Sequence, residues 1–335
     1  MEAAGSASRG RDGVLLLGMG GPWTLPDVKP FLLSIFGDRQ VIRFPGGPAL
    51  QGSWARLLTL LRSRAVRSRY AAIGGGSPLL HWTSRQAAAL SRALGGTPVE
   101  VAMRYASPRA PESVSRLAAA GCGRIVLLPL YPQECGATTG TSLDDARGAV
   151  AGHGRGLEAV VVRSFHDDPA YVRSVAARVR SGLSDLSRDE ADRPFVLFSA
   201  HGVPERVEHS GDPYVTEVRR TAELVLTELG PEVGEHGLSF QSRVGPVRWV
   251  GPATASEIRR LGREGRKAVL VVPISFVSDH IETLHEIDIE LRGIAARAGI
   301  QRFGRAPSLN DGVDFVEALA GIASRALAGG ETTDA

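Results

Sequence analysis

The sequence predicts an α/β fold made of two parallel β-sheets, each flanked by helices. Short apolar, β-branched runs alternate with amphipathic stretches almost from end to end, which is typical of repeated strand–helix units. Such repetition implies parallel strands joined by right-handed crossovers. With 335 residues and 43% hydrophobic content, the chain is long enough to form about two domains with proper cores.

Seven apolar runs are predicted to be strands, four in a first half of the chain and three in a second. They are Val14–Leu17, Val99–Met103, Ile125–Leu130 and Leu157–Val162, followed by Phe195–Ser199, Leu238–Gln241 and Ala268–Ile274. Amphipathic stretches between them are predicted to be helices: Ser84–Leu94, Ala110–Ala120, Pro169–Leu183, Tyr214–Leu229 and Ala255–Leu261.

The polar segment Ser184–Arg193 predicts a boundary between the two halves. We therefore expect an N-terminal domain over residues 13–184 and a C-terminal domain over residues 185–305. Residues 1–12 are rich in Gly, Ser and Ala and are expected to be a disordered lead-in, with the first strand beginning at Val14. Residues 306–335 are expected to form a helix that packs back on the body, followed by a short tail.

Composition excludes several classes of protein. No apolar run approaches the roughly 20 residues of a membrane-spanning helix, and the N-terminus lacks the pattern of a signal peptide. The net charge is only +3, and the densest basic group, between Arg56 and Arg69, is interpreted as a solvated helix face rather than a nucleic-acid site. Two cysteines, Cys122 and Cys135, cannot supply a disulfide framework or a four-thiolate site, so a cytoplasmic location is expected.

The densest group of acidic residues and histidines follows the last predicted strand, between Ser275 and Glu290. In a helix, Glu282, Glu286 and Glu290 would lie four apart on one face, where like charges repel. Ligands of parallel sheets bind at the carboxyl ends of the strands. A row of carboxylates at such an end therefore predicts a cation site.

His201 follows the apolar run Phe195–Ala200 and is flanked by small residues that keep its ring accessible. An imidazole at a strand end can accept a proton near neutral pH or bind a metal, so a functional role is predicted. The remaining histidines outside the acidic segment lack such a context and are expected to be structural or on the surface: His81, His153, His166, His209 and His236.

Two other motifs are ambiguous. Gly74–Pro78 (GGGSP) could form an anion-binding nest or a tight structural turn, and it lacks the Lys-Ser/Thr of a P-loop. Thr138–Ser142 could cap a helix that begins near Leu143, or it could contact a ligand. Neither a G-x-S-x-G elbow nor an H-E-x-x-H motif is present, so acyl transfer and zinc-peptidase chemistry have little support. A histidine with several carboxylates suits a divalent cation in transit, such as Fe2+.

The whole set of motifs resembles that of the ferrochelatases, which insert ferrous iron into a porphyrin. The resemblance runs in order from about Gly13 to Ala326 and rests on these segments: 18–25 (GMGGPWTL), 73–78 (IGGGSP), 103–105 (MRY), 128–133 (LPLYPQ), 138–140 (TTG), 197–202 (LFSAHG), 211–214 (GDPY), 241–246 (QSRVGP) with Trp249, 273–284 (PISFVSDHIETL) and 308–310 (SLN).

The resemblance implies two Rossmann-like domains with a porphyrin cleft between them. It implies that His201 is the catalytic histidine and Glu282 the carboxylate that faces it. Glu286 and Glu290 would continue an acidic path along a helix widened to π geometry. These residues, His201 and the three glutamates, would be the ligands of the iron.

The resemblance also implies a set of porphyrin-binding residues. Met19, Arg104 and Tyr131 would lie on the opposite side of the macrocycle from His201. Further contacts with the porphyrin are expected from Ser77, Thr138, Trp249, Phe31 and Ile35. The apolar segments Pro30–Phe36 and Val41–Phe44 would form a lip over the cleft, and in the family that lip can rest on a membrane.

The function implied is insertion of Fe2+ into protoporphyrin IX with release of two protons, which is the last step of haem synthesis. Iron would be a substrate, no prosthetic group is expected, and two cysteines cannot hold a [2Fe–2S] cluster. Met19 stands where relatives that metallate coproporphyrin often have Tyr, which favours protoporphyrin IX. Ala71 and Ala72 stand where many relatives have Arg before the glycines, so the propionate ligands are open, with Arg69 nearby.

Three alternatives stay open. The chain could metallate coproporphyrin III, or it could be a cobalt chelatase of corrinoid synthesis, for which His280 and His285 would supply extra ligands. It could also bind a tetrapyrrole without turnover. The expected partners are porphyrin and ferrous iron, with a peripheral membrane contact through the lip as a further option and no nucleic acid. The protein is expected to be a monomer or a homodimer.

Overall fold

The computed structural model describes residues 10–154, 156–187, 193–243, 245 and 247–329, and within this part it contains two four-stranded parallel sheets. The N-terminal sheet has the order β2-β1-β3-β4, with β1 Arg11–Gly18, β2 Val99–Met103, β3 Cys122–Pro129 and β4 Glu158–Val161. The C-terminal sheet has the order β6-β5-β7-β8, with β5 Phe195–His201, β6 His236–Gln241, β7 Ala268–Pro273 and β8 Arg302–Arg305. The predicted α/β class with two parallel sheets is confirmed.

Helices cover both faces of each sheet. Those of the first half are α1 Val28–Gly37, α2 Gly47–Ala72, α3 Leu79–Ala93, α4 Ala110–Ala119, α5 Thr141–His153 and α6 Pro169–Leu186. Those of the second half are α7 Glu205–His209, α8 Tyr214–Leu229, α9 Thr254–Arg263, α10 Arg292–Arg297 and α11 Val313–Gly329. Two segments have π geometry, Gly136–Gly140 and Glu282–Leu291, and the second of these follows β7 and leads directly into α10.

The central strands are buried on both faces, which explains their continuous apolar sequences. In β1, Leu15 and Leu17 face one core, which includes residues of α4 and α5. Val14 and Leu16 face a second core that extends through α6, α8 and α11 to β5 and β7. Side chains of both sheets therefore belong to one continuous core.

Helices α1 and α2 form a smaller unit with a core of its own. Val28, Leu32 and Phe36 of α1 pack there against Ala55 and Tyr70 of α2. Ile281, from the segment that follows β7, packs against this cluster. The unit therefore extends from the N-terminal half to the start of the π-helix.

Several element boundaries differ from the prediction. β1 begins at Arg11, inside the expected lead-in, because its first residues pair with β3 and Asp12 forms an ion pair with Arg124. β8 was missed because Phe303 is the single fully buried residue of this short edge strand. The expected disorder of residues 1–9 concerns residues outside the described part of the chain.

The domain division at Ser184–Arg193 stays a prediction. Helix α6 continues to Leu186 through the beginning of this segment, and residues 188–192 lie outside the described part. The expected C-terminal helix is present as α11 and packs on α3 and α6, while the expected tail at residues 330–335 also lies outside the described part.

Candidate active site

The candidate site lies at the carboxyl edge of the C-terminal sheet, where β5, β6 and β7 end. His201 is the last residue of β5, two residues beyond the predicted end of that strand. Its backbone N–H donates to Ser275 Oγ, which follows β7, at 2.9 Å. Its carbonyl oxygen accepts from the hydroxyl of buried Tyr214 at 3.0 Å. The backbone of His201 is therefore fixed from both sides, while its side chain remains 42% exposed.

The imidazole of His201 pairs with the first glutamate of the acidic row. His201 Nδ1 lies 2.8 Å from Glu282 Oε2. A proton on Nδ1 would be held by this carboxylate, which leaves Nε2 as the free acceptor of the neutral ring. The structure therefore brings the two predicted catalytic residues into direct contact.

Burial and pairing act in opposite directions on both groups. Burial disfavours the charged ring of His201, but the charge and hydrogen bond of Glu282 outweigh burial and raise the pKa of His201 above its ordinary value. Burial alone would raise the pKa of Glu282, but the positive His201 and its hydrogen bond hold the pKa of that carboxyl well below its usual range. The contact therefore favours the imidazolium form of His201 and the carboxylate form of Glu282 relative to the unpaired groups.

Ser242 joins the first two glutamates of the row. Its backbone N–H donates to Glu286 Oε1 at 2.8 Å, and its hydroxyl lies 2.8 Å from Glu282 Oε2 and 2.5 Å from Glu286 Oε2. Burial, followed by the charge of Glu282, raises the pKa of Glu286. Ser242 has a φ of 62°, a left-handed conformation that is costly for a residue with a side chain. Sequence reasoning did not single out Ser242, because a serine after a strand carries no distinctive pattern.

His280 lies on the other side of Glu282. Its Nδ1 donates to the carbonyl of Ser278 at 3.0 Å, so the neutral ring presents Nε2, which is 4.0 Å from Glu282 Oε1. Burial lowers the pKa of His280 below its ordinary value. Phe276 lies near both imidazoles, with its ring centroid 6.4 Å from that of His201 and 4.5 Å from that of His280.

The third glutamate is farther out and has different partners. Glu290 Oε1 lies 3.1 Å from Arg69 Nη2 of α2 and 3.5 Å from His285 Nδ1. The π geometry expected from the resemblance is present over Glu282–Leu291. The π geometry does not separate the first two carboxylates, since the Ser242 hydroxyl contacts both Glu282 and Glu286. The crowding of like charges predicted from the sequence therefore remains.

The imidazole and carboxylate groups of this site do not surround a single position at which a metal ion would be bound. In the described residues, no group of three or more His, Cys, Asp or Glu side chains converges into a metal-holding cluster. One imidazole and separate carboxylates suit a hard or borderline dication that passes through, whereas a resident zinc site has four close ligands.

The predicted residues of the N-terminal half gather at the carboxyl edge of their own sheet. Each follows the end of a strand: Met19 comes directly after β1, Arg104 directly after β2, and Tyr131 two residues after β3. The guanidinium of Arg104 is tied down by Asp38 at 2.7 Å and by Asp145 at 3.4 Å. Tyr131 Oη lies 3.4 Å from Ser142 Oγ, and burial raises the pKa of this phenol.

The GGGSP segment is a tight turn that clasps the loop after β1. Gly74 and Gly75 have positive φ angles. Gly76 lies so close to the Trp23 carbonyl that a Cβ there would be 2.0 Å from its oxygen. Ser77 N–H donates to the carbonyl of Pro22 at 2.7 Å. Beside Ser77 an open pocket of about 500 Å³ is lined by Trp23, Leu80, His81, Ser84, Arg85 and Ala88.

The other predicted porphyrin contacts are partly buried. Thr138 lies in the π turn Gly136–Gly140, and α5 begins at Thr141 with Gly140 as N-cap and no side-chain cap, so the capping alternative for Thr138–Ser142 is wrong. Trp249 forms a β-bridge with Pro204, and within the described part of the chain its buried indole N–H has no hydrogen-bond partner. Phe31 and Ile35 of α1 are half-buried.

The histidines predicted to be on the surface behave as expected. His81, His153, His209 and His236 are exposed. His166 is half-buried, with Nδ1 2.8 Å from Ser164 Oγ and 3.4 Å from Glu217 Oε2, which is a structural setting.

The chain is similar to known proteins over nearly its whole length. The family model described as Ferrochelatase matches residues 11–327. A ferrochelatase of Gloeobacter violaceus is 44% identical over 315 residues, covering 92% of this chain and 95% of that protein. One of Geotalea daltonii is 41% identical over 309 residues, covering 92% of this chain and 95% of that protein.

Solved structures support the fold. SirB of Bacillus subtilis with Fe3+ is similar with a TM-score of 0.59 and 14% identity, over 96% of this chain and 98% of that one. The sirohydrochlorin chelatase SirB of Bacillus subtilis subspecies spizizenii, in complex with cobalt, is similar with a TM-score of 0.57 and 12% identity, over 96% and 98% of the two chains. At such low identity the likeness concerns the architecture alone.

Proposed function

Because this chain belongs to the ferrochelatase family, we propose that it inserts Fe2+ into protoporphyrin IX and releases two protons. The observation that carries the proposal is the 2.8 Å contact between His201 Nδ1 and Glu282 Oε2 at the ends of β5 and β7. A base with a free Nε2 and a carboxylate behind it is the arrangement that removal of pyrrole protons requires.

The reaction has to overcome two obstacles. A flat porphyrin holds its four nitrogens in the ring plane and carries two N–H protons, so metal entry is slow. An apolar cleft can hold the ring bent and expose the nitrogen lone pairs, using binding energy for the distortion. We propose that Met19, Arg104 and Tyr131 lie on one side of the macrocycle and His201 on the other.

The protons pass to His201 in this scheme. Neutral His201, with its Nδ1–H directed to Glu282, accepts a pyrrole proton at Nε2. The imidazolium that forms is stabilised by Glu282, which explains why a raised pKa is useful here. Glu286 and Glu290 then carry either protons outward or Fe2+ inward. Carboxylate and imidazole ligands bind Fe2+ loosely enough for transfer to the ring nitrogens, whereas thiolates would hold it too tightly.

Replacement of His201 tests the scheme. In the His201→Ala variant we expect metallation to fall by about 100-fold or more, the usual contribution of a positioned base. Porphyrin binding, followed by fluorescence quenching, should persist. The exposed His209 provides a matched control, and His209→Ala should have wild-type activity. Near-normal turnover of the His201→Ala variant would remove His201 from the mechanism.

One anaerobic assay distinguishes the alternative functions. The purified protein is mixed with Fe2+ or Co2+ and with protoporphyrin IX, coproporphyrin III or a corrinoid precursor, and the absorption spectrum is followed. Fastest insertion of Fe2+ into protoporphyrin IX supports the proposal. A preference for coproporphyrin III or for Co2+ would identify another chelatase, and binding without metallation would identify a tetrapyrrole-binding protein.

We further propose that the lip contacts a membrane, and the exposed apolar surface favours α2 over α1 for this contact. In α1, Leu32 and Phe36 point into the core. In α2, Leu50, Trp54, Leu57 and Leu61 are 37–67% exposed and recur at a helical spacing on one face. The helix has five arginines and no acidic residue, and an apolar stripe beside arginines fits the surface of an anionic bilayer.

Vesicle co-sedimentation tests this contact. Binding to vesicles with phosphatidylglycerol is expected, and the double change Leu57→Ser with Leu61→Ser should weaken it by about ten-fold or more. Val313→Ser, at an exposed residue of α11, is the control. If the double variant instead abolishes a dimer seen by size-exclusion chromatography, the stripe is a subunit interface. No helix among the described residues combines the length and apolarity needed to cross a bilayer.

The assembly is proposed to be a monomer or a homodimer in the cytoplasm. Both cysteines are buried free thiols, which suits a reducing compartment.

A further inference from the structure

The outer end of the acidic row is covered by an arginine from the opposite half of the molecule. Arg69 lies in the last turn of α2, and its Nη2 is 3.1 Å from Glu290 Oε1. His285 Nδ1 approaches the same oxygen at 3.5 Å. In the absence of a metal ion, the carboxylate of Glu290 is therefore already paired with the guanidinium of Arg69.

The partners of the three glutamates differ in kind. Glu282 is 25% exposed and is bonded to both His201 and Ser242, and Glu286 accepts the backbone N–H of Ser242. The pair of Arg69 and Glu290 is 46% and 39% exposed, so water and salt weaken it and its net contribution to stability is small. Of the three glutamates, Glu290 therefore exchanges its partner most readily.

The surroundings of Arg69 also favour its release. Arg62, two turns before Arg69 on the same face of α2, is near enough for the charge of Arg69 to lower the pKa of Arg62, second to burial. Two like charges on one helix repel each other, and Glu290 is the acidic group in contact with Arg69. A dication that reached Glu290 would displace Arg69 towards solvent.

We propose that Arg69 is a positioning residue that gates the entry of Fe2+ at Glu290. In the resting protein it neutralises the outer carboxylate and repels cations, and only an ion of higher charge density than the guanidinium displaces it. This inference rests on the proposed function, because it assumes that the acidic row carries iron. It adds a residue of α2, which the sequence had placed on a solvated basic helix face and near the open propionate site.

The test compares Arg69→Gln with Arg69→Lys, which keeps the charge, and with Arg67→Gln, which removes a charge from an exposed position of the same helix. KM for Fe2+ is measured anaerobically at saturating protoporphyrin IX, and KM for the porphyrin at saturating Fe2+. Loss of one unit charge next to the carboxylate should lower KM for Fe2+ about two- to five-fold in Arg69→Gln. Arg69→Lys and Arg67→Gln should match the wild type, with kcat and the porphyrin KM unchanged in all three.

Two kinetic results would overturn the gate. An unchanged or higher KM for Fe2+ in Arg69→Gln, with a higher KM for porphyrin, would make Arg69 a structural tie between α2 and the π-helix. A lower KM in Arg69→Lys as well would show that charge is not the cause.

A measurement without turnover separates this inference from the proposed function. Co2+ binding to the protein alone, followed by absorption, should tighten by the same factor in Arg69→Gln. If the wild type metallates no porphyrin, the proposed function fails, yet the Co2+ titration still decides whether Arg69 competes with cations. Equal Co2+ affinity in wild type and Arg69→Gln refutes the gate whatever the assay of turnover gives.

Discussion

Replacement of Glu282 by Gln keeps the shape of the side chain next to His201 and removes its charge. The amide oxygen can still accept the Nδ1–H of His201, so the ring orientation is expected to persist. What is lost is the stabilisation of the imidazolium by a carboxylate 2.8 Å away. The variant therefore measures the contribution of charge separately from that of geometry.

The size of the effect follows from the contact and its exposure. A hydrogen bond to a charged group contributes about 1.5–3 kcal/mol. The ring of His201 is 42% exposed, so solvent screening places the value near the lower limit. A loss of about 1.5–2 kcal/mol corresponds to a decrease in kcat of about ten- to thirty-fold, and loss of the charge also lowers the pKa of His201.

The direction in which the acid limb of the pH profile of kcat moves tests the role of Glu282. Neutral His201 is the base, so activity is lost as the pH falls through its raised pKa. Without the charge of Glu282 that pKa falls, and the acid limb of the profile should move to lower pH. The assay is anaerobic insertion of Fe2+ between about pH 5.5 and pH 9. An acid limb that stays in place or moves to higher pH, or an unchanged kcat, would refute the coupling between these residues.

Two further predictions concern the frame of the cleft. Asp38→Asn should lower the free energy of unfolding by about 2–4 kcal/mol, because it leaves the largely buried guanidinium of Arg104 with a single acidic partner. Urea denaturation measures this change. A change below about 0.5 kcal/mol would show that the ion pair of Asp38 and Arg104 contributes nothing to stability. Gly76→Ala should be destabilising by more than about 2 kcal/mol, since its Cβ would meet the Trp23 carbonyl. The control is Gly148→Ala in α5, where a Cβ has open space. This change should be neutral or stabilising by up to about 1 kcal/mol. Equal thermal midpoints of these two variants would contradict the close packing of the glycine turn.

Much of the fold could be predicted because buried parallel strands have an unmistakable composition. β7 is buried at every position, and its sequence is apolar throughout. β8 could not be predicted, because an edge strand with one buried residue resembles a loop. Helix α2 was recognised as a basic helix face but its length was not predicted, since one of its faces is buried and the other is also partly apolar.

The residues of the candidate site could also be predicted only in part. His201 and Glu282 could be found because ionisable residues directly after buried strands are unusual. Ser242 and Asp38 could not, because their importance comes from contacts with residues 40 or more positions away in the chain. The π geometry came from the resemblance and not from periodicity, which assumes a regular α-helix.

The division of the hydrophobic core has a consequence for how a large flat ligand gains access. Since one continuous core joins both sheets, a hinge motion between them would have to break it, at a cost comparable to unfolding. The core of α1 and α2 is a separate cluster that meets the C-terminal half at Ile281, so this unit is expected to open before the main core does. Entry and exit of the macrocycle then become a local opening event. Amide hydrogens of α1 and α2 should exchange faster than those of β1 and β7, and bound porphyrin should slow them selectively.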